Sequence, residues 1–227
     1  MSTSSKRFPS NQKNNAAGDA SRIFMSLSRL ETLGDAIFAF SLTLLAFDLD
    51  LPGLAGSDLK PRLIALLPKL VIFIFTFLVV AQQWDVHQRT LRYVAHADGT
   101  FIWLNLLSYM FIVLLPTSAD VLGEYPLEPL ALMAFGVNLA LFSLVSWFLW
   151  RYASEKGRLL QEGLNSEIVK MIGNLWLSTP VIIGICIPLS LLSVYPVYVI
   201  WFLMPIFSYI VSKRTVQKIR EQTDISG

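Results

Sequence analysis

The placement of lysine and arginine between apolar stretches constrains this chain more than any other feature. Six apolar stretches occur, at about 30–51, 61–84, 100–122, 127–150, 167–193 and 197–212. A helix needs about 20 residues to cross roughly 30 Å of hydrocarbon, so each is a candidate span, the last one short. Basic residues gather in alternate gaps. Lys6, Arg7, Lys13, Arg22 and Arg29 precede or begin the first stretch; Arg89 and Arg92 follow the second. Arg151, Lys156, Arg158 and Lys170 follow the fourth; Lys213, Arg214, Lys218 and Arg220 follow the sixth. Six crossings put all of these on one side and leave Lys60 and Arg62 on the other, with Lys69 inside the second stretch. Cytoplasmic loops carry the basic excess. The expectation is an all-α integral membrane protein of six transmembrane helices, multi-pass in the inner (plasma) membrane, with both termini cytoplasmic. An odd number of crossings would destroy the segregation. Composition agrees: 15% of residues are charged, against about 25% in soluble domains.

The same reading divides the chain into a polar tail at 1–27, a transmembrane domain at 28–212 and a basic tail at 213–227. The first 27 residues lack an apolar stretch leading to a small-residue cleavage site, so no cleaved signal is expected. The formal net charge of +2 gives no reason to expect nucleic acid. The single cysteine, Cys186, lies in the apolar run GICIPL and reads as a small buried hydrophobe. HExxH and GxSxG motifs are absent, and His87 and His96 lie nine residues apart in an expected loop. No catalytic residue, cofactor or metal site is therefore expected. The outer side is acidic, with Asp48, Asp50, Asp58, Asp120, Glu124 and Glu128. That is either the complement of the positive-inside rule or a mouth that attracts cations.

The first stretch is the least apolar. Between Asp35 and Asp48 its charge-free run, Ala36 to Phe47, is only 12 residues long. Arg29 can snorkel to the interface and Glu31 can favour a helix N-terminus. Asp35 lies about 9 Å further along the axis than Arg29, on a different face, so it needs a partner from another helix or water. Gly34 permits close approach of a neighbour. Candidate partners lie in WDVHQRTLRYVAHADGTFIWLNLL, residues 84–107. His87 is expected past the end of the second helix and Asn105 about two turns into the third. A network of Arg29, Asp35, His87, Asp98 and Asn105 would brace the helices; a sharper reading adds proton sensing by His87. Ala36, Phe40, Thr43 and Phe47, flanked by Leu44, form one helical stripe. It is either a packing surface, with Thr43 bonded to its own helix, or the lining of a central axis in a symmetric oligomer. There it would set a hydroxyl ring between two apolar constrictions that can gate by dewetting.

These residues resemble the transmembrane-protein-175 potassium channels. That family's signature is Arg, three residues, then Phe-Ser-Asp; here it stands as Arg29 followed by Leu33-Gly34-Asp35. The continuation AIFAFSLTLLAFDLDLP is similar, as are Trp84 and His87, Asp98, Asn105 and the Leu-Leu-Pro at 114–116. The resemblance implies a six-helix subunit whose first helix lines a central pore in a homotetramer, embedded in a lipid bilayer. Potassium is the permeant ion of a leak-type channel with no voltage-sensor helix. It implies a narrowest point at Phe40, a threonine layer at Thr43 and further pore-facing turns at Leu44 and Phe47, with Arg29, Asp35 and His87 in the bracing network. Phe40 is larger than the family's usual Ile or Leu. Leu33 and Gly34 lack an aromatic ring and a hydroxyl that the signature carries. The competing expectations are a proton-coupled secondary transporter, with Asp35 and His87 as a relay, and a non-conducting membrane scaffold.

Overall fold

The computed structural model describes residues 11–47, 49, 59–204, 206, 210, 213 and 217. Asp48, Asp50, Asp58, Pro205, residues 1–10 and most of the basic tail lie outside the described residues. The described chain is helical: α1 (Asn11–Phe47), α2 (Leu59–Arg92), α3 (Gly99–Glu124), α4 (Pro129–Ser154) and α5 (Ser166–Leu192), then α6 (Val194–Met204). Five helices are long and apolar enough to cross a membrane, and α6 is a shorter apolar helix. The apolar part of α1 is Leu27–Phe47. Residues 11–26, expected as tail, extend the same helix at its N-terminal side.

Local chemistry sets the boundaries. Asp98 caps α3, its carboxylate accepting the Phe101 N–H at 2.9 Å, and Asn165 caps α5 by accepting the Glu167 N–H at 2.8 Å. Each satisfies an N–H that the first turn leaves without a helical partner. Pro129 starts α4, where a missing N–H costs nothing. Ser193 adopts extended backbone between α5 and α6, so the final apolar stretch begins as a separate helix.

One sequence expectation is corrected here. α2 does not end near residue 84 but continues to Arg92, and His87 is therefore a helical residue rather than a loop residue. The polar sequence QQWDVHQRTLR stays helical because Gln83, His87, Thr90 and Leu91 form a single buried stripe. Arg89 and Arg92 occupy the last turn, where cations complement the helix dipole. Arg89 also pairs with Asp85 at 2.6 Å.

α4 is central, packed between α3 and α5, while α1 lies against α2 and α3. Without a hydrophobic drive between helices in lipid, such contacts rest on close packing and interhelical hydrogen bonds. Gly136 illustrates the first: a Cβ there would meet Trp201 at 3.0 Å and Ile183 at 3.2 Å. Trp176 illustrates the second, its indole donating across from α5 to Thr90 Oγ1 at 3.1 Å.

The two ends of the bundle are separately tied. The α2–α3 and α4–α5 connections pair through Ala95 N–H to Leu159 O at 2.7 Å and Gln161 N–H to Tyr93 O at 3.0 Å. At the opposite end the Tyr198 hydroxyl donates to Pro126 O at 2.6 Å, and Lys69 lies 3.9 Å from Glu124. The two basic connections thus share one end, as an alternating up-and-down path requires.

Candidate functional site

α1 has two unlike faces. Leu30, Gly34, Phe38, Ser41 and Leu45 point into the bundle and are buried. Ala36, Phe40, Thr43 and Phe47 point away; Phe40 is 59% and Phe47 76% exposed. The four residues fall on one stripe because spacings of 4, 3 and 4 return to nearly the same angle on a helix. Leu44 flanks it, partly buried. The Thr43 hydroxyl donates to the carbonyl of Phe40 at 2.7 Å, one turn back on its own helix. Its oxygen lone pairs remain on the exposed side. Two phenyl rings with a hydroxyl between them stand unshielded by the described chain and need a covering copy or lipid.

The buried face is held near Leu30 by two other helices, α2 and α3. The Tyr109 hydroxyl donates to Leu30 O at 3.2 Å and lies 3.0 Å from His87 Nε2. Since the phenol has one proton, committed to Leu30, the hydrogen-bond pattern assigns the Nε2 proton to His87 as donor. His87 is fully buried, edge-on to Tyr109 with ring centroids 5.3 Å apart and 5.7 Å from Phe38. Gly34 makes room for this arrangement: a Cβ there would stand 2.5 Å from the Tyr109 oxygen. Gly34, one of the two departures from the Phe-Ser-Asp signature, thus admits a hydroxyl from another helix.

Asp35, one residue on, faces α2. Its Oδ1 accepts from the Trp84 indole at 2.8 Å and from the Gln88 side-chain amide. Two donors one turn apart on α2 thus satisfy a carboxylate that is exposed on the subunit surface.

Asp98 and Asn105 stand in a separate cluster. Asp98 caps α3 and also accepts the Tyr152 hydroxyl at 2.6 Å, while Arg158 lies over the Tyr152 ring at 5.0 Å. Burial raises the pKa of Asp98, but the Tyr152 hydroxyl, the Phe101 N–H and the charges of Arg158 and His96 together outweigh it and hold the carboxyl below its ordinary value. Asn105 is buried and donates to Phe101 O of its own helix at 2.9 Å. Arg29 is exposed, without a hydrogen bond or ion pair among the described residues. The single expected network is therefore two braces, one centred on Asp35, His87 and Tyr109 and one on Asp98.

Sequence reasoning did not name Tyr109, Gln88, Tyr152 or Ser41. Gln88 carried a readable signal, since it lies one turn beyond Trp84. Ser41 carried another, which involves a proline on α3: its hydroxyl donates to Ile112 O at 3.2 Å. Tyr109 sits in an apolar run that a sequence does not separate from ordinary packing, and Tyr152 follows Arg151 just past the expected fourth span, with no spacing that ties it to Asp98.

Residues 29–116 match the family described as endosomal/lysosomal potassium channel TMEM175. A potassium channel of Chamaesiphon minutus is 27% identical over 185 residues, 79% of this chain and 91% of that protein. A potassium channel of Streptomyces collinus is 29% identical over 147 residues, 63% of this chain and 71% of its own length. The fold is similar to the crystal structure of a lysosomal potassium-selective channel TMEM175 homolog from Chamaesiphon minutus, with a TM-score of 0.73 at 23% identity, covering 83% of this chain and 98% of that one.

Proposed function

We propose that this chain, which belongs to the TMEM175 family, assembles with copies of itself into a potassium-permeable cation channel whose pore is lined by α1. The match spans 91% of the Chamaesiphon minutus relative and 71% of the Streptomyces collinus one. The observation that carries the reading is the exposed stripe of Ala36, Phe40, Thr43 and Phe47 on a helix whose opposite face is fixed in the bundle. Copies of the chain arranged about an axis, most simply four, bring these stripes together. Phe40 and Phe47 then form apolar constrictions, and narrow apolar segments resist wetting and so gate ions. Thr43, between them, offers a ring of hydroxyl oxygens to a cation, with Leu44 beside it. The proposed conduction is of the leak type, without a voltage-sensor helix. Six crossings would put both termini on the side of the paired basic connections, which the positive-inside rule assigns to the cytoplasm of a plasma membrane. Asp35 and His87 act as braces: each already has a partner inside the subunit.

The test is flux from proteoliposomes loaded with potassium or sodium, for wild type and Thr43→Ala. The proposal expects potassium-favouring flux whose preference falls in the variant. Folded, oligomeric protein that passes no cation would refute it.

A further inference from the structure

Pro116 lies inside α3, where it lacks the N–H that would bond the carbonyl four residues earlier, that of Ile112. Ile112 is fully buried, and so is Ser41. A carbonyl freed at this depth has no water to turn to and must find a donor within the protein. The donor is Ser41 of α1, whose hydroxyl reaches Ile112 O at 3.2 Å. We propose that Ser41 is a positioning residue: by supplying the hydrogen bond that Pro116 removes, it fixes the rotation of α1 and so the direction in which Phe40 and Thr43 point. The inference rests on the reading that α1 lines the pore.

Geometry supports this in two ways. Ser41 falls between Phe40 and Thr43 in sequence but about 100° and 200° around the helix from them, so its bond holds the back of the turn whose front carries both side chains. A second α1–α3 bond, from Tyr109 to Leu30 O, lies eleven residues earlier, three turns and about 16 Å down the axis on nearly the same face. Two attachments on one face, at separate heights, resist rotation where a single attachment permits it. The other directional contact of α1, Asp35 with Trp84 and Gln88 of α2, lies six residues and about 9 Å before Ser41 along the axis, so Ser41 is the attachment at the height of Phe40 and Thr43.

The claim is specific enough for a double-variant cycle. Pro116→Ala returns a helical N–H to Ile112 O, so Ser41 should matter only while the proline is present. Wild type, Ser41→Ala, Pro116→Ala and the double variant would be compared for melting of the purified oligomer and for the potassium-to-sodium flux ratio in proteoliposomes. Ser41→Ala is expected to lower the melting temperature by about 2–4 °C and to change the flux ratio roughly threefold or more. In the Pro116→Ala background the same substitution should change neither. If Ser41→Ala alone does not fold, the double variant still decides, since it is expected to fold as Pro116→Ala does. Equal effects of Ser41→Ala in both backgrounds would overturn the inference, as would an unchanged flux ratio in a conducting Ser41→Ala protein. Absence of flux from wild type would instead refute the pore reading itself, and the inference with it.

Discussion

Gly34→Ala is the most informative single substitution in the N-terminal brace, because two effects of opposite sign compete. Alanine in place of a helical glycine gains about 1 kcal/mol of intrinsic propensity. A Cβ at this position, however, would stand 2.5 Å from the Tyr109 oxygen and 3.0 Å from its Cζ. The tyrosine cannot simply swing aside: it is 2% exposed and its hydroxyl bonds both Leu30 O and His87. Overpacking a fitted site costs about 1–3 kcal/mol, and two displaced hydrogen bonds cost about 1 kcal/mol each. The net expectation is a loss of about 2–4 kcal/mol, from these general magnitudes. For a chain of this size that is a fall in melting temperature of about 4–16 °C. The assay is thermal loss of the folded oligomer in detergent, followed by size exclusion. A Gly34→Ala/Tyr109→Leu double variant should be little worse than Tyr109→Leu alone, since the leucine no longer reaches the new methyl group. A Gly34→Ala protein that melts at or above wild type would refute the close approach of Tyr109.

Three further predictions follow from the same geometry. Trp84→Phe removes one of the two donors to Asp35, and should lower the melting temperature by about 2–4 °C, with a smaller decrement in an Asp35→Asn background. The Asp98 carboxyl sits below its ordinary value when folded, so its contribution is complete above the unfolded value near 4 and is lost as pH falls through the lower folded value. The stability difference between wild type and Asp98→Asn should accordingly be flat from neutral pH to about 5 and shrink below about 4, as melting curves against pH would report. Phe40→Ala, which opens the narrower of the two apolar constrictions in the proposed pore, should raise potassium flux in proteoliposomes; unchanged flux would remove Phe40 from the path.

The spans and their alternation were legible because hydropathy and basic residues report directly on the membrane, and the paired connections at Ala95 and Leu159 now stand at one end. The α1 stripe was equally legible, since helical periodicity alone puts Phe40 and Thr43 on one face. The end of α2 was misread because QQWDVHQR looks like a loop by polarity; its buried stripe exists only once α3 and α5 supply partners for His87 and Thr90. The brace was half legible. Asp35 announced a need for partners, but which residues answered depended on the angle between α1 and α2, which no local pattern encodes. Tyr109 was hidden for a related reason: its role depends on the space left at Gly34, two helices away in sequence. Arg29 and Asn105 are grouped with Asp35 by their expected place at one end of the bundle, whereas the folded helices give Asn105 a partner on its own helix.

The central claim, that the exposed face of α1 borders an aqueous ion path, is tested most directly by cysteine accessibility during flux. The native Cys186 is buried, which leaves a low background for a charged, water-borne thiol reagent. Phe47→Cys and Trp103→Cys would be reconstituted in parallel, both positions being exposed on the subunit but on different helices. The account predicts that the reagent blocks potassium flux through the Phe47→Cys protein and leaves that through Trp103→Cys unchanged. Flux through Phe47→Cys that persists after modification is verified by mass would contradict it.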